Sequence, residues 1–422
     1  MGCIPACRPC CLGNDIFSFL FYFAMRTGMK NVCSHFIGRI LSIASRELKM
    51  YTCRPLFLFC LIVAPLLCLW MLTFLMHDGL PTRLPIAVVD EDNTTVSRSL
   101  LRTLEAMEEV DIVCRYASFT EARKTMQRGN IYGIFYIPRN MTQKAVTHQQ
   151  PTISFYTNEC YFVAGSLVMR DMRITAELIG LALTRQALTA QGLDERQSMG
   201  IVQPVVINAH PMKNPFLDYS VYLNNMLIPG ILLLLVMLSA SYTLGLEWKE
   251  GTQEELFRMA GGHPAVAIVG KLLPQTFIFT LMFACCHVCF FRILQFPCHS
   301  GMLPMLFIGI ATILAAQGLA VFLTGMFGQM RMAMSLCSLL GMFSFSLAGF
   351  SFPVTAMDSV LQYAAMVLPL RHYYLLYVNQ ALNGFSIAYA WPSLLALALL
   401  VLLPLLLLKR YRHLFLYQKY TP

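Results

Sequence analysis

Long runs of apolar residues with almost no charge recur along this chain, and they determine its predicted architecture. A helix needs roughly 20 apolar residues to cross a hydrocarbon core of about 30 Å. Runs of that kind predict six membrane-spanning helices, at about 55–76, 219–246, 266–291, 302–327, 332–348 and 392–408. Proline lies inside three of these predicted spans, at Pro65, Pro229 and Pro404, where its missing backbone N–H favours a kink.

The apolar pattern changes between the first two predicted spans. Residues 77–218 are enough for one small domain, and they alternate runs of strand length with runs of helical period. The predicted strands lie at 84–89, 111–116, 132–137, 153–156 and 205–208. The predicted helices cover 96–107, a segment capped by Thr120 and ended by Gly129, and 161–191. The fold class is therefore an α-helical polytopic membrane protein, with an α/β domain inserted between transmembrane helices 1 and 2.

Two further apolar stretches are too short or too broken to cross a bilayer. Residues 16–25 offer only ten apolar positions, and no small-residue cleavage site follows, so we expect no cleaved signal peptide. Residues 349–390 are interrupted by proline, glycine and charge, at Pro353, Asp358, Pro369, Arg371 and Gly384. We expect this second stretch to form short helices in the outer interface, as a re-entrant segment.

Composition and charge place the chain in a membrane and give it an orientation. Of its 422 residues, 57% are hydrophobic and 13% are charged, which excludes an ordinary soluble enzyme. The net charge is +9, and the segments that precede the first span and follow the last one, 1–54 and 409–422, are rich in Lys and Arg. By the positive-inside rule both termini are cytoplasmic, which makes 77–218 an extracytoplasmic domain. An amphipathic elbow helix is predicted at 39–54, on the inner surface.

The hydrophilic loop after the second predicted span is the most informative part of the sequence. It carries four glutamates next to a membrane surface: Glu247, Glu250, Glu254 and Glu255. Gly251 is expected to break the incoming helix, and Thr252 to cap a short helix. That helix shows Leu256, Phe257 and Met259 to one side, which is typical of a surface that docks on a cytosolic partner. Alternatively, it only connects two spans.

Three segments resemble one family of membrane transporters. The loop sequence E-x-K-E-G-T-x-E-E-L, followed by G-K-L-L-P, resembles the cytoplasmic loop of permeases of the ABC transporter type-2 superfamily. The segment GFSFPVTAMDSVLQYAAMVLPLRHYYLLYVNQAL, at 349–382, resembles the re-entrant helices of that family. The segment LPIAVVDEDNTTVSRSLL resembles the opening of its large outer domain, and the order of elements agrees from about Arg46 to Tyr411.

This resemblance implies a permease subunit of an ATP-driven ABC exporter, which moves a substrate outward across the cell inner membrane. The loop at 247–264 then couples to the ATPase, through Glu247, Glu250, Gly251, Thr252, Glu254, Glu255, Leu256 and Arg258. The outer re-entrant segment contains Gly349, Phe352, Pro353 and Pro369. The implied partners are cytosolic nucleotide-binding ATPase subunits, a second copy of the chain or a related permease, a periplasmic adaptor and an outer-membrane channel.

The sequence contains no complete phosphate-binding loop for ATP. A phosphate-binding loop has the pattern G-x-x-x-x-G-K-[ST]. The nearest approach, at Gly270 and Lys271, has Ala265 at the first glycine position and Leu272 in place of Ser or Thr. We therefore expect no enzyme activity and no cofactor in this chain, with ATP bound by the partner ATPase.

Several weaker candidates have a structural interpretation that outweighs the functional one. On a helix Cys285 and Cys289 share a face that His287 does not, which favours a packed cluster over a metal site. The acidic run at 90–92 is expected to be a solvated strand end, and Gln317 to make an interhelical hydrogen bond. A disulfide between the cysteines at 114 and 160 stays open, because the sequence does not give their separation.

Two functions of other classes also stay open. A non-transporting membrane receptor or sensor would bind a ligand with its extracytoplasmic domain and would need no stable ATPase partner. An ion-coupled secondary transporter would carry charged residues in the middle of its spans, and the six predicted spans show none there.

Overall fold

The computed structural model describes residues 29–77, 79–147, 149–205 and 218–418, together with 208, 210, 213 and 214. In chain order the helices are α1 (Met29–Cys53), α2 (Pro55–Leu75), α3 (Thr95–Glu105), α4 (Phe119–Gln127), α5 (Met141–Val146), α6 (Phe162–Ala190), α7 (Glu195–Val202), α8 (Tyr219–Glu250), α9 (Gln253–Met259), α10 (Pro264–Ile293), α11 (Met302–Phe327), α12 (Met330–Leu347), α13 (Ser359–Met366), α14 (Pro369–Tyr377), α15 (Trp391–Leu402) and α16 (Leu408–Tyr417). The strands are β1 (Leu84–Asp90), β2 (Val110–Tyr116), β3 (Gly133–Ile137) and β4 (Ser154–Thr157).

The chain divides into two compact units. The first, here called the helical unit, consists of Met1–Phe74 and Tyr222–Pro422, and the second, the α/β unit, is Leu75–Val221. Within the described residues six helical stretches are long and apolar enough to cross a membrane: α2, α8, α10, α11, α12 and the stretch Ile387–Tyr417. They lie where the hydropathy pattern predicts spans, and most of their ends differ from the predicted ends by a few residues.

Proline disturbs two of these stretches locally. The π turn Phe59–Val63 immediately precedes Pro65 in α2, and Pro404 lies in the 3-10 turn Leu403–Leu407 between α15 and α16. Because proline donates no backbone hydrogen bond, the helix changes its pitch where that bond is missing. The α geometry is interrupted at these two sites, whereas α8 continues through Pro229. The kinks favoured at these prolines remain a prediction.

The stretch between α12 and α15 consists of short pieces, as its prolines and glycines predict. Asp358 caps α13, since its carboxylate accepts a hydrogen bond from the Val360 amide at 3.0 Å. Pro369 begins α14, and a π turn at Val378–Leu382 and a 3-10 turn at Ile387–Ala390 follow. The placement of this stretch in an outer interface remains a prediction.

The α/β unit is built on a four-stranded sheet in the order β2-β1-β3-β4. β1 pairs in parallel with β2 and β3, and β4 pairs antiparallel with β3. Parallel neighbours require crossover connections, which α3 and α4 supply. The larger core lies on one face, where Ile86, Val88 and Phe135 pack with residues of α3 and α6, and a smaller core around Ala122 of α4 covers the other.

Several predicted details of this unit change. α4 is preceded by Ser118 instead of the expected Thr120, and its side chain makes no capping hydrogen bond. The short helices α5 and α7 have no counterpart in the prediction. Cys114 and Cys160 are both free cysteines. Of the strand predicted at 205–208, residues 206 and 207 lie outside the described residues.

The acidic run at 90–92 begins at the last residue of β1 and continues into a turn, as expected for a strand end. Asp90 accepts hydrogen bonds from the amides of Asp92 and Asn93, and its second oxygen accepts one from the Ser97 hydroxyl at 2.7 Å. Asp92 accepts from the Thr142 hydroxyl at 2.6 Å. These carboxylates are therefore used to fix the turn and the start of α3.

A buried acid of α6, Asp171, lies close to the start of β2. Asp171 is 2% exposed, and Arg170 contacts both Asp171 and Glu109. Burial, together with the neighbouring Glu109, raises the pKa of Asp171 to about 6. The pKa of Glu109 is lowered: burial opposes this change, but hydrogen bonds from Asp171 and Arg170 outweigh it. The two acids therefore compete for one proton.

We expect Asp171→Asn, which imitates the protonated acid, to raise the unfolding temperature more near pH 8 than near pH 5. Because the folded-state pKa of Asp171 is raised, its stabilising contribution is complete only below the unfolded-state pKa of about 3.9 and is lost as the pH rises through about 6. Thermal unfolding of the purified protein at the two pH values measures the difference. The control, Asp111→Asn at an exposed position of β2, should shift both temperatures equally, and equal shifts for Asp171→Asn would contradict the assignment.

Candidate functional site

Four ionisable side chains meet in the helical unit where α1, α8 and α10 approach one another. Lys271 of α10 is fully buried, and its Nζ donates to Oε1 of Glu47 at 2.7 Å and to Oε1 of Glu247 at 2.6 Å. Glu47 belongs to α1 and Glu247 to the last turn of α8. Arg46, beside Glu47, completes the group, which is called the charge cluster below.

Glu247 is the carboxylate that the other groups share. The Arg46 guanidinium donates from Nη2 to both of its oxygens at 3.1 Å, and the Thr252 hydroxyl donates to Oε2 at 2.6 Å. With Lys271, three side chains therefore satisfy one carboxylate. Thr252 occupies the N-cap position of α9, but it makes no side-chain cap. The expected capping role of Thr252 is thus wrong: its hydroxyl binds Glu247 instead.

The charges of the cluster balance, since two acids face two bases. Burial raises the pKa of Glu47, and the nearby Glu247 adds to this effect, whereas Lys271 opposes it. Burial lowers the pKa of Arg46, but the attraction of Glu247 and the hydrogen bond to it outweigh this effect. The pKa of Arg46 is therefore raised. Removing ions from water costs several kcal/mol each, so each buried charge of the cluster needs its partner.

Close backbone packing brings α1 to this position. A Cβ at Gly270 would lie 2.9 Å from the Ile43 Cβ and 3.1 Å from the Ile40 carbonyl oxygen, so only glycine fits there. Nearer the surface, Arg54 pairs with Glu250 and joins the end of α1 to the end of α8. The elbow helix predicted at 39–54 is therefore part of α1 and is attached to two candidate spans.

The short helix α9 follows directly from the cluster. Gly251, with a φ of 71°, ends α8, and the positive φ values of Gly261 and Gly262 end the turn after α9. Leu256 and Phe257 are buried, and the Phe257 ring stacks on Phe415 of α16 at a centroid distance of 6.0 Å. The apolar side of α9 is therefore covered by its own chain, which corrects the expectation of an exposed apolar docking face.

What α9 and its flanks leave exposed is polar and mostly acidic. The exposed members of the predicted coupling loop are Glu250, Gly251, Glu254, Glu255 and Arg258. Glu247, Thr252 and Leu256, also predicted as coupling residues, lie beneath this surface. The structure thus separates the predicted residues into an exposed layer and an anchoring layer.

The structure does not bring the predicted residues of the re-entrant segment together at one place. Gly349 has a φ of 101°, and a Cβ there would lie 3.4 Å from Arg371 of α14. Pro369 is buried at the start of α14, whereas Phe352 and Pro353 are exposed. Gly349 and Pro369 are therefore packed at α14, whereas Phe352 and Pro353 are not.

Sequence reasoning missed the two most buried members of the cluster. Lys271 was considered only as part of a failed phosphate-loop pattern, and Glu47 only as part of an amphipathic helix. Lys271 also lies inside the third predicted span, near its start. Only the middles of the predicted spans therefore lack charged residues. The sequence did contain one signal for this cluster, a lysine within an apolar run, because such a charge requires a buried partner.

The other polar candidates in the spans are structural. Thr276 donates to the Gln317 Oε1 at 2.8 Å, which confirms the interhelical hydrogen bond expected for Gln317. His287 is buried, with its ring against Phe283 and Phe291. Among the described residues no group of His, Cys, Asp and Glu could hold a metal ion.

A comparison with protein-family models gives one match that covers most of the chain. The model described as "ABC-2 family transporter protein" matches residues 55–408. This range contains the whole α/β unit and all six candidate spans except the end of the last one. It also contains α8, α9 and α10, whereas α1, with Arg46 and Glu47, lies outside it. A comparison with individual curated proteins gives no match.

We expect Lys271→Met to destabilise the protein strongly, because it leaves two buried carboxylates without their shared cation. Removing one partner of a buried ion pair typically costs about 3–5 kcal/mol. Lys271→Met combined with Glu47→Met should recover most of this loss, since Glu247 keeps Arg46 and Thr252. The unfolding temperature of the purified protein is the measurement.

The matched control is Arg54→Met, which breaks the more exposed pair with Glu250. Exposed pairs contribute on the order of 1 kcal/mol or less, so this variant should remain close to the parent protein. Equal effects of Lys271→Met and Arg54→Met, or a double variant as unstable as Lys271→Met, would contradict the assignment of a buried cluster.

Proposed function

The chain belongs to the ABC-2 transporter family, and we propose that it is the permease subunit of an ABC exporter, which moves a substrate outward across the membrane. Membership makes it a membrane transport component and implies an ATPase partner and a dimer. In this proposal ATP is bound and hydrolysed by separate cytosolic subunits, and this chain has no catalytic role. The observation that carries the proposal is the exposed acidic layer of α9 together with the buried cluster beneath it.

The exposed layer is the proposed contact with the ATPase. Glu254 and Glu255 lie in the first turn of α9, where carboxylates are compatible with the helix dipole and remain available to a basic partner surface. Glu250, Gly251 and Arg258 lie beside them and are exposed as well. A partner with complementary charge would therefore bind α9 without exposing its apolar side.

Mechanical coupling is proposed to run from α9 into the spans through the charge cluster. Thr252, at the start of α9, binds Glu247 of α8, and Glu247 binds Lys271 of α10. A displacement of α9 would therefore move the ends of both helices as one body, since breaking a buried pair costs several kcal/mol. Phe257, packed on Phe415, would carry the same displacement to α16. Rigid-body motions of this kind are a common way to change the access of a membrane pathway.

The orientation is also part of the proposal. Both termini and α9 would be cytoplasmic, and the α/β unit and the stretch between α12 and α15 would face outward. The excess of Lys and Arg in 1–54 and 409–422 supports this arrangement. In a cell with two membranes, the chain would be in the inner one, and its periplasmic α/β unit would meet the substrate or an adaptor that leads to an outer-membrane channel.

The competing function is a receptor or sensor without transport. Its support is the compact α/β unit, which divides from the rest of the chain. The permease is favoured because the family match extends over both units and includes α9.

We expect a cytosolic nucleotide-binding subunit to copurify with the chain in mild detergent and to be lost when Glu254→Lys and Glu255→Lys are combined. The double variant reverses the charge of the exposed layer of α9 and leaves the four side chains of the charge cluster themselves unchanged. The measurement is the amount of ATPase subunit retained per permease, which we expect to fall about tenfold, equivalent to about 1.4 kcal/mol.

The matched control for this pull-down is Glu105→Lys combined with Glu108→Lys. It makes the same change of charge at exposed positions of the α/β unit. This control should retain the ATPase. Absence of any ATPase with the unmodified chain would favour the receptor, and transport that continues without an ATPase would favour an ion-coupled transporter.

Single-cysteine labelling tests the orientation. In a background without other reactive cysteines, Glu255→Cys should react with an impermeant thiol reagent only after the membrane is opened. Glu121→Cys, in α4 of the α/β unit, should react in intact cells. The reverse pattern would place α9 outside the cell and would exclude contact with a cytosolic ATPase.

A further inference from the structure

The α/β unit contains a cavity beside the second half of α6. This helix has 29 residues and is therefore about 43 Å long. All of its buried residues lie in its first half, between Gly165 and Thr175, and none of its residues beyond Thr175 is buried. A cavity of about 780 Å³ lies between this second half and the chain segment that leads into β4.

One side of α6 gives the cavity an apolar wall. Ala176, Ile179, Leu183 and Ala187 line it and recur every three or four residues, so they form a single stripe along the helix. Phe155 of β4 lines the cavity as well. All these side chains are half-buried, which leaves their apolar surface accessible to a molecule in the cavity.

The polar groups of the lining indicate what kind of molecule fits. Its charged residues, Arg173 and Glu177, bind each other at 2.8 Å, so the lining has no net charge. Three carboxamides remain to donate and accept hydrogen bonds, from Gln149, Gln150 and Gln191. An ionic ligand would find no uncompensated opposite charge in this lining, whereas an uncharged apolar molecule would gain burial.

The size of the cavity favours a small molecule over a protein segment. Small-molecule sites usually measure roughly 300–1,000 Å³ and combine apolar walls with few polar groups. Gly180 lies in the stripe, and a Cβ built on it meets no atom within 4 Å, so the space over the helix is open at this point.

We propose that this cavity binds an uncharged, largely apolar small molecule with a hydrogen-bonding group, and that such molecules are the substrate class of the exporter. Binding follows from the cavity alone, whereas the identification as substrate rests on the proposed function. An exporter with such a site would take up cargo or hold it on the side where the α/β unit lies.

Photolabelling of the full chain in lipid nanodiscs tests the proposal. The probe is a trifluoromethyl-aryl diazirine that carries a benzyl alcohol, which is uncharged, mainly apolar and able to hydrogen-bond. Irradiation releases dinitrogen, and the carbene inserts into nearby side chains, which mass spectrometry then locates. We expect saturable adducts on the cavity stripe of α6, which an excess of the same alcohol without the diazirine prevents.

Two variants and two matched controls make the result specific. Gly180→Phe should obstruct the cavity over the stripe and Leu183→Gln should make its wall polar, and each should lower labelling about tenfold, the effect of one large apolar contact. Neither residue is buried, so the fold should tolerate both changes. Leu181→Phe and Leu181→Gln, at an exposed position of α6 outside the lining, should label as the parent does.

Labelling that does not saturate, that is equal on all sides of α6, or that Gly180→Phe leaves unchanged would overturn the proposal. No ATPase is needed, so the outcome is independent of the pull-down. Saturable labelling without an ATPase partner would support the cavity as a binding site and contradict the export function. An ATPase partner without saturable labelling would support the export function and contradict the binding site.

Discussion

The ammonium group of Lys271 lies away from water, between carboxylates from two other helices. An ion in such a place must be compensated in full, because an unpaired buried charge costs several kcal/mol. This requirement fixes the register of α1, α8 and α10 relative to one another far more strictly than apolar packing alone, which tolerates sliding. The position of α9 follows, because Thr252 attaches its first residue to the same carboxylate.

The same constraint connects the two layers of the predicted coupling loop. The exposed glutamates of α9 are solvated and free to meet a partner, whereas Leu256 and Phe257 hold the helix to its own chain. A loop that were flexible or loosely packed would absorb a push from an ATPase. A loop seated on aromatic rings and a closed set of ion pairs would pass that push on to the spans, which is what the proposed function requires.

The elements that were predicted well are those whose signal is local. Apolar runs located the spans, and strand-length runs located all four strands of the sheet, because burial of neighbouring residues decides both. The site was predicted only in part, because its contacts are distant in the chain: Glu47 and Lys271 are 224 residues apart. Thr252 looked like a cap because the sequence pattern does not show that Glu247, five residues earlier, competes for its hydroxyl. Leu256 looked exposed because α16, which covers α9, comes more than a hundred residues later.

Chain order gives the buried pair a consequence for biogenesis. Glu47 is synthesised long before Lys271, and α2 and the whole α/β unit come between them. During synthesis, Arg46 and Arg54 can pair with α8 first, through Glu247 and Glu250. Glu47 gains its cation only when α10 follows, so the charge cluster can be completed only by a helix made late in the chain.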